Sequence, residues 1–124
     1  MKKFIVPTDF SDTSKNAAVY AARLANDIPG SSVILYNVFD SLITSAEGSS
    51  VYSDIDSRKK ISEAALMNLK NELTAISSAP ITCLAETGNL LICLGKLCQI
   101  QQPDLIIMGI TGATRLDQIL VGSN

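Results

Sequence analysis

Four short apolar runs punctuate the chain, each separated from the next by a longer stretch with helical periodicity. Phe4-Ile5-Val6 reads as a buried strand ending at Pro7-Thr8-Asp9, and Ser11 is placed to cap the helix that follows. Ala17, Ala21, Leu24, Ala25 and Ile28 mark one face of that helix, from about Asp12 to Asp27, until Pro29-Gly30 stops it. Ser32 to Phe39 is β-branched and apolar and reads as a second buried strand. Asp40 to about Ser53 is rich in Ser and Gly without any period, which predicts a long loop. From about Asp54 a second helix carries Ile61, Ala65, Leu69, Leu73 and Ile76 on one face, with Lys59, Lys60, Glu63, Lys70 and Glu72 largely off it. Ser77-Ser78-Ala79-Pro80 breaks it. Ile81 to Glu86 is a third strand, less apolar and so nearer an edge. Asn89 to about Gln101 is a third helix, and Asp104 to Met108 a fourth, fully buried strand.

The resulting order, β-α-β-α-β-α-β, implies an α/β fold: a doubly wound parallel sheet with right-handed crossovers and helices on both faces. Ligands of such sheets bind beyond the strand C-termini, where the strand order reverses. With strands two and three on one side of strand one and strand four on the other (order 3-2-1-4), the reversal falls between strands one and four. Pro7, Thr8 and Asp9 then share a crevice with Met108 and Gly109.

Candidate chemistry sits at that same place. Gly109, Gly112 and Gly122 recur with two and nine residues between them, and Ser123-Asn124 follows. A backbone that approaches a phosphate closely leaves no room for a Cβ, and consecutive N–H groups at a helix entry supply donors for an anion. Ser123 or Asn124 suits a helix cap or a phosphate contact. A strand end, a turn and a cap that bind nothing would show the same glycines, so both readings stand on spacing alone. Asp9 is similarly open: a ligand contact, or a carboxylate accepting backbone N–H bonds at the strand end.

Composition narrows the field. The 124 residues fit one domain, and with 47% hydrophobic and 18% charged residues a packed core is expected rather than disorder. The net charge of −2 and the single basic triplet, Arg58-Lys59-Lys60, argue against a nucleic-acid partner. With no histidine, Ser-His-Asp and Cys-His mechanisms and histidine metal sites are excluded. Cys83, Cys93 and Cys98 show no C-x-x-C spacing and read as buried, reduced thiols rather than disulfides or metal ligands. No apolar run is long enough to span a membrane and the N-terminus lacks a signal-peptide core, so a soluble cytoplasmic protein is expected.

Taken together, Phe4-Ile5-Val6-Pro7-Thr8-Asp9-Phe10-Ser11, the strand ending Asn37-Val38, and the Gly109/Gly112/Gly122-Ser123 signature resemble the universal stress protein family over the whole chain. The resemblance implies a Rossmann-like, adenine nucleotide alpha hydrolase-like fold, and the glycine signature implies the subgroup that binds ATP. It places the Val38 backbone and Asp9 against adenine and neighbouring groups, with Pro7 and Thr8 lining the same pocket. Met108 and Gly109 would lie against the ribose, and Gly112, Gly122, Ser123 and Asn124 would take the phosphates.

ATP, or AMP or ADP, is the implied ligand, with Mg²⁺ accompanying the nucleotide and no protein metal site. Two departures stand out. Thr111 occupies a position where many ATP-binding relatives carry a basic residue or histidine, although Arg115 lies nearby. The chain also stops at Asn124, before the family's fourth helix and fifth strand. A single domain, 1–124, lacking those last elements is therefore expected, exposing strand four and Ile119-Leu120-Val121 and favouring a homo-oligomer, most simply a dimer. No residue reads as a tuned general base and no Walker lysine is present, so at most slow ATP hydrolysis is expected. The competing reading is an interaction scaffold of the same fold that binds no nucleotide. A phospho-receiver domain fits less well, because only Asp9 supplies a carboxylate at the end of strand one.

Overall fold

The computed structural model describes residues 2–39 and 51–109. Its elements are β1 (Lys3–Pro7), α1 (Asp12–Asp27), β2 (Ser32–Phe39), α2 (Val51–Thr74), β3 (Ile81–Thr87), α3 (Leu90–Gln101) and β4 (Leu105–Ile106). All pairings are parallel, as the alternation of elements predicts, and the strand order is β3-β2-β1-β4, the arrangement supposed above. The reversal of strand order lies between β1 and β4. Gly112, Gly122, Ser123 and Asn124, with Thr111, Arg115 and Ile119 to Val121, lie outside the described residues, as do residues 40–50 of the loop expected from Asp40 to about Ser53.

Strand alternation divides the core into two layers. Phe4 and Val6 of β1 and Val33 and Leu35 of β2 face α1 and α2. Ile5, Ile34 and Tyr36 point the other way, onto Leu94 and Leu97 of α3. Helix α1 lies close to the sheet because its buried face is small: Ala17, Ala18, Ala21, Ala22 and Ala25. It starts where Ser11 accepts the Ser14 N–H at 3.3 Å, and its end is followed by Gly30 at φ 83°.

Four expectations are corrected. Helix α2 buries Ser62, Leu66, Leu69 and Leu73, while Ile61 is 69% exposed and Ile76 lies at the surface. The helix is rotated by about one residue from the face that the aliphatic positions alone suggest, because the hydroxyl of Ser62 has a partner inside and Ile61 does not. The helix also begins at Val51, so residues 51–53 belong to it rather than to the loop. Strand four is shorter and less buried than expected: only Leu105 and Ile106 pair with β1, and Leu105 and Met108 are exposed. It is an edge strand, so its apolar residues are covered on one side only among the described residues. The three cysteines are free and half-buried rather than fully inside. No helix among the described residues is long and apolar enough to cross a membrane.

Candidate functional site

The site is built by the way β1 ends. Its last regular rung is Pro7 opposite Tyr36, after which the Thr8 N–H still donates to the Tyr36 carbonyl at 2.8 Å. The chain then turns sharply through Phe10 at φ 67°, a left-handed conformation that side chains seldom adopt. Local hydrogen bonds hold that turn. The Asp9 carboxylate accepts the Ser11 N–H and the Thr8 hydroxyl oxygen accepts the Phe10 N–H, each at 3.0 Å. Hydrogen bonding to Ser11, from its side chain first and then its main chain, holds the Asp9 carboxyl below its ordinary range.

The buried hydroxyls can be assigned. Ser14 Oγ donates to the Ser11 carbonyl at 3.0 Å, which uses its single proton. In the 2.8 Å pair between Thr8 Oγ1 and Ser14 Oγ the Thr8 hydroxyl is therefore the donor. On the other side, Asn37 Nδ2 donates to the Thr8 carbonyl at 2.8 Å, and Ser62 Oγ donates to Asn37 Oδ1 at 2.6 Å. Among the described residues no buried side-chain polar atom lacks a partner, which is what a rigid polar floor requires.

Main-chain alternation leaves one edge open. In a parallel sheet, successive residues of a central strand direct their N–H and C=O to opposite neighbours. Ser32 donates to Lys2 and the Tyr36 carbonyl accepts from Thr8, whereas Val33 donates to Pro80 and the Phe39 carbonyl accepts from Gly88. The Val38 N–H and C=O therefore face the β1 side, where β1 has already turned away. Among the described residues no main-chain partner takes the Val38 N–H. A donor and an acceptor stand side by side at the floor of a crevice.

That crevice has a free volume of about 160 Å³ and is lined by Pro7, Thr8, Asp9, Val38, Met108 and Gly109, together with Ser14, Asn37 and Leu90. The described members of the expected set thus come together. The last three escaped the sequence reading. The polar interruption Asn37 in an otherwise apolar strand was a usable signal for one of them, whereas Ser14 and Leu90 carry none. Gly109 has a reason of its own to be glycine: a Cβ there would overlap the main chain of Thr13 and stand 2.8 Å from the Ser14 nitrogen. The close approach that excludes a side chain is to helix α1. Among the described residues no three His, Cys, Asp or Glu side chains gather as a metal site would need.

Comparison with known proteins places this geometry among relatives. Residues 1–124 match the model of the universal stress protein family. The universal stress protein MJ0531 of Methanocaldococcus jannaschii is 30% identical, the match covering 98% of this chain and 72% of that protein. The solved structure of protein MJ0577 superposes with a TM-score of 0.76 at 25% identity, over 97% of this chain and 82% of that one. A family member from Arabidopsis thaliana solved with AMP bound gives a TM-score of 0.64 at 18% identity, over 91% and 79%. A universal stress protein in complex with cAMP gives 0.60 at 19%, over 85% and 69%. At these last two identities the likeness is one of fold.

Proposed function

The chain belongs to the universal stress protein family, and from that premise we propose that it is a regulatory module binding an adenine nucleotide in the crevice between the ends of β1 and β4. The observation that carries this reading is the open Val38 edge. Its N–H suits the N1 acceptor of adenine and its C=O suits the N6 amino donor, a pairing that guanine and hypoxanthine reverse. The AMP and cAMP complexes of the two fold relatives support the same ligand class.

In this reading Pro7 and Thr8 form the pocket wall and Asp9 faces neighbouring groups of the nucleoside. Met108 and Gly109 lie against the ribose, and Gly112, Gly122, Ser123 and Asn124 take the phosphates. ATP is the full-length ligand, with AMP and ADP sharing the base and ribose contacts. Mg²⁺ would be held by phosphate oxygens and water, since no described carboxylate cluster offers a cage. The module acts in the cytoplasm as a homodimer.

A second reading, an interaction scaffold that binds no nucleotide, is favoured by one observation. Leu91, Ile92 and Ile100 of α3 are 77%, 61% and 76% exposed, large apolar side chains that a partner could cover. Calorimetric titration separates the two. Saturable AMP binding, with inosine monophosphate weaker by at least about tenfold, supports the nucleotide module. No heat from either nucleotide at millimolar concentration leaves the scaffold.

A further inference from the structure

Asn37 and Ser62 pose a problem for packing alone. Asn37 interrupts the apolar run of β2, and Ser62 interrupts the leucine stripe of α2, yet both are buried. Two polar side chains in an otherwise apolar layer gain little for stability over apolar ones of similar shape. What they achieve is local. A regular ladder would continue past Tyr36 with the Val38 N–H donating to the Thr8 carbonyl, zipping β2 against the end of β1. Here the Asn37 amide takes that carbonyl at 2.8 Å, and Ser62 fixes the amide by donating to its oxygen at 2.6 Å.

We propose that Asn37 and Ser62 are positioning residues that hold the sheet end open: Asn37 occupies the Thr8 carbonyl in place of Val38, leaving the Val38 edge for a base, and Ser62 keeps the Asn37 amide in register. The functional part rests on the nucleotide reading above; the structural part does not. Ser62 does not line the crevice, so it acts on the ligand only through Asn37. Thr8 is held from three sides, its N–H by Tyr36, its carbonyl by Asn37 and its hydroxyl by Ser14. Loss of the middle contact lets the carbonyl turn to the Val38 N–H, the donor that a continued ladder would set opposite it.

Amide hydrogen exchange followed by NMR in the nucleotide-free protein tests the structural part. In the wild type the Val38 amide exchanges faster than the Ile34 and Tyr36 amides of the same strand. Asn37→Leu slows exchange at Val38, and Ser62→Ala does so less, while protection elsewhere falls with global stability. A destabilising change that protects one amide is not the signature of general loosening. Val38 already protected in the wild type, or unchanged in both variants, overturns the proposal.

Titration with AMP tests the functional part. Ser62→Ala weakens binding by about fivefold or more, Ser62→Thr restores it, and Leu73→Ala, which removes a buried leucine farther along α2, leaves affinity unchanged despite its stability loss. Equal weakening by Ser62→Ala and Leu73→Ala overturns the positioning role. If the wild type binds no AMP, the nucleotide reading fails, and exchange at Val38 still decides whether the edge is held open.

Discussion

Two glycine-to-alanine substitutions should have opposite effects in this chain. At Gly109 an added Cβ would stand 2.5 Å from the Thr13 carbonyl carbon and 2.8 Å from the Ser14 nitrogen, where ordinary contact begins at 3.4 Å. The obstacle is backbone in the first turn of α1, so no side-chain rotation relieves it. Either α1 or β4 must move by about an ångström or more to clear the Thr13 carbonyl, and β4 has little to hold it: two paired residues, the Asp104 and Ile107 N–H bonds to β1, and the Asp104 carboxylate on the Lys3 N–H. Overpacking of this kind costs about 1–3 kcal/mol, which lowers Tm by about 3–12 °C for a domain of this size. Gly95 is the reverse case. It sits inside α3 with nothing within 4 Å of an added Cβ, so alanine there removes backbone entropy from the unfolded chain and stabilises by about 0.5–1 kcal/mol. Urea and thermal unfolding of the two variants beside the wild type measure both. A Gly109→Ala variant within about 0.5 kcal/mol of wild type would refute the close approach of β4 to α1, and a destabilising Gly95→Ala would refute the open face of α3.

The corrected face of α2 is tested by Leu66→Ala, expected to cost about 2–5 kcal/mol, against Ile61→Ala, expected to stay within about 0.5 kcal/mol, both by urea unfolding. Burial, and then the Glu86 carboxylate that accepts its hydroxyl, push Tyr36 well above the ordinary tyrosine pKa of 10.0. The folded state keeps that proton where the unfolded chain loses it. Its contribution is therefore complete below about pH 10 and falls above it by up to about 1.4 kcal/mol per pH unit, a slope that Tyr36→Phe should abolish in pH-dependent melting. Asp9 has the opposite sign: its carboxyl is held below the ordinary aspartate value of 3.8, so its contribution is present above that pH and lost as the pH falls further. Asp9→Asn should flatten the acid limb of the stability curve only slightly, because the group is exposed.

Much of the architecture was legible because the signals were local and mutually consistent. Ser11 as a cap, alanines at helical spacing and Pro29-Gly30 as a stop define α1 with the bounds the structure shows, and Ser32 to Phe39 likewise. The parallel pairing follows from the alternation of elements, and the supposed strand order, which the structure bears out, carries Pro7, Thr8, Asp9, Val38, Met108 and Gly109 to one crevice without a direct contact being readable. The failures share a cause. The buried face of α2 was assigned from aliphatic residues, but Ser62 turned inward because Asn37 waits there, a pairing 25 residues apart that no periodicity reports. The composition of strand four reads as buried, whereas its position at the edge decides its exposure. Gly109 was legible as a required glycine, and its requirement lies in the backbone of Thr13.

The central claim is that an adenine base docks on the Val38 edge between the ends of β1 and β4. Amide chemical-shift mapping during titration with AMP tests it most directly. Saturable shifts gathered at Thr8, Val38, Met108 and Gly109, weaker with inosine monophosphate, are the expected result. No saturable shift, or shifts gathered instead around Asn26, Gly30 and Ser78 at the cavity on the opposite end of the sheet, would contradict it.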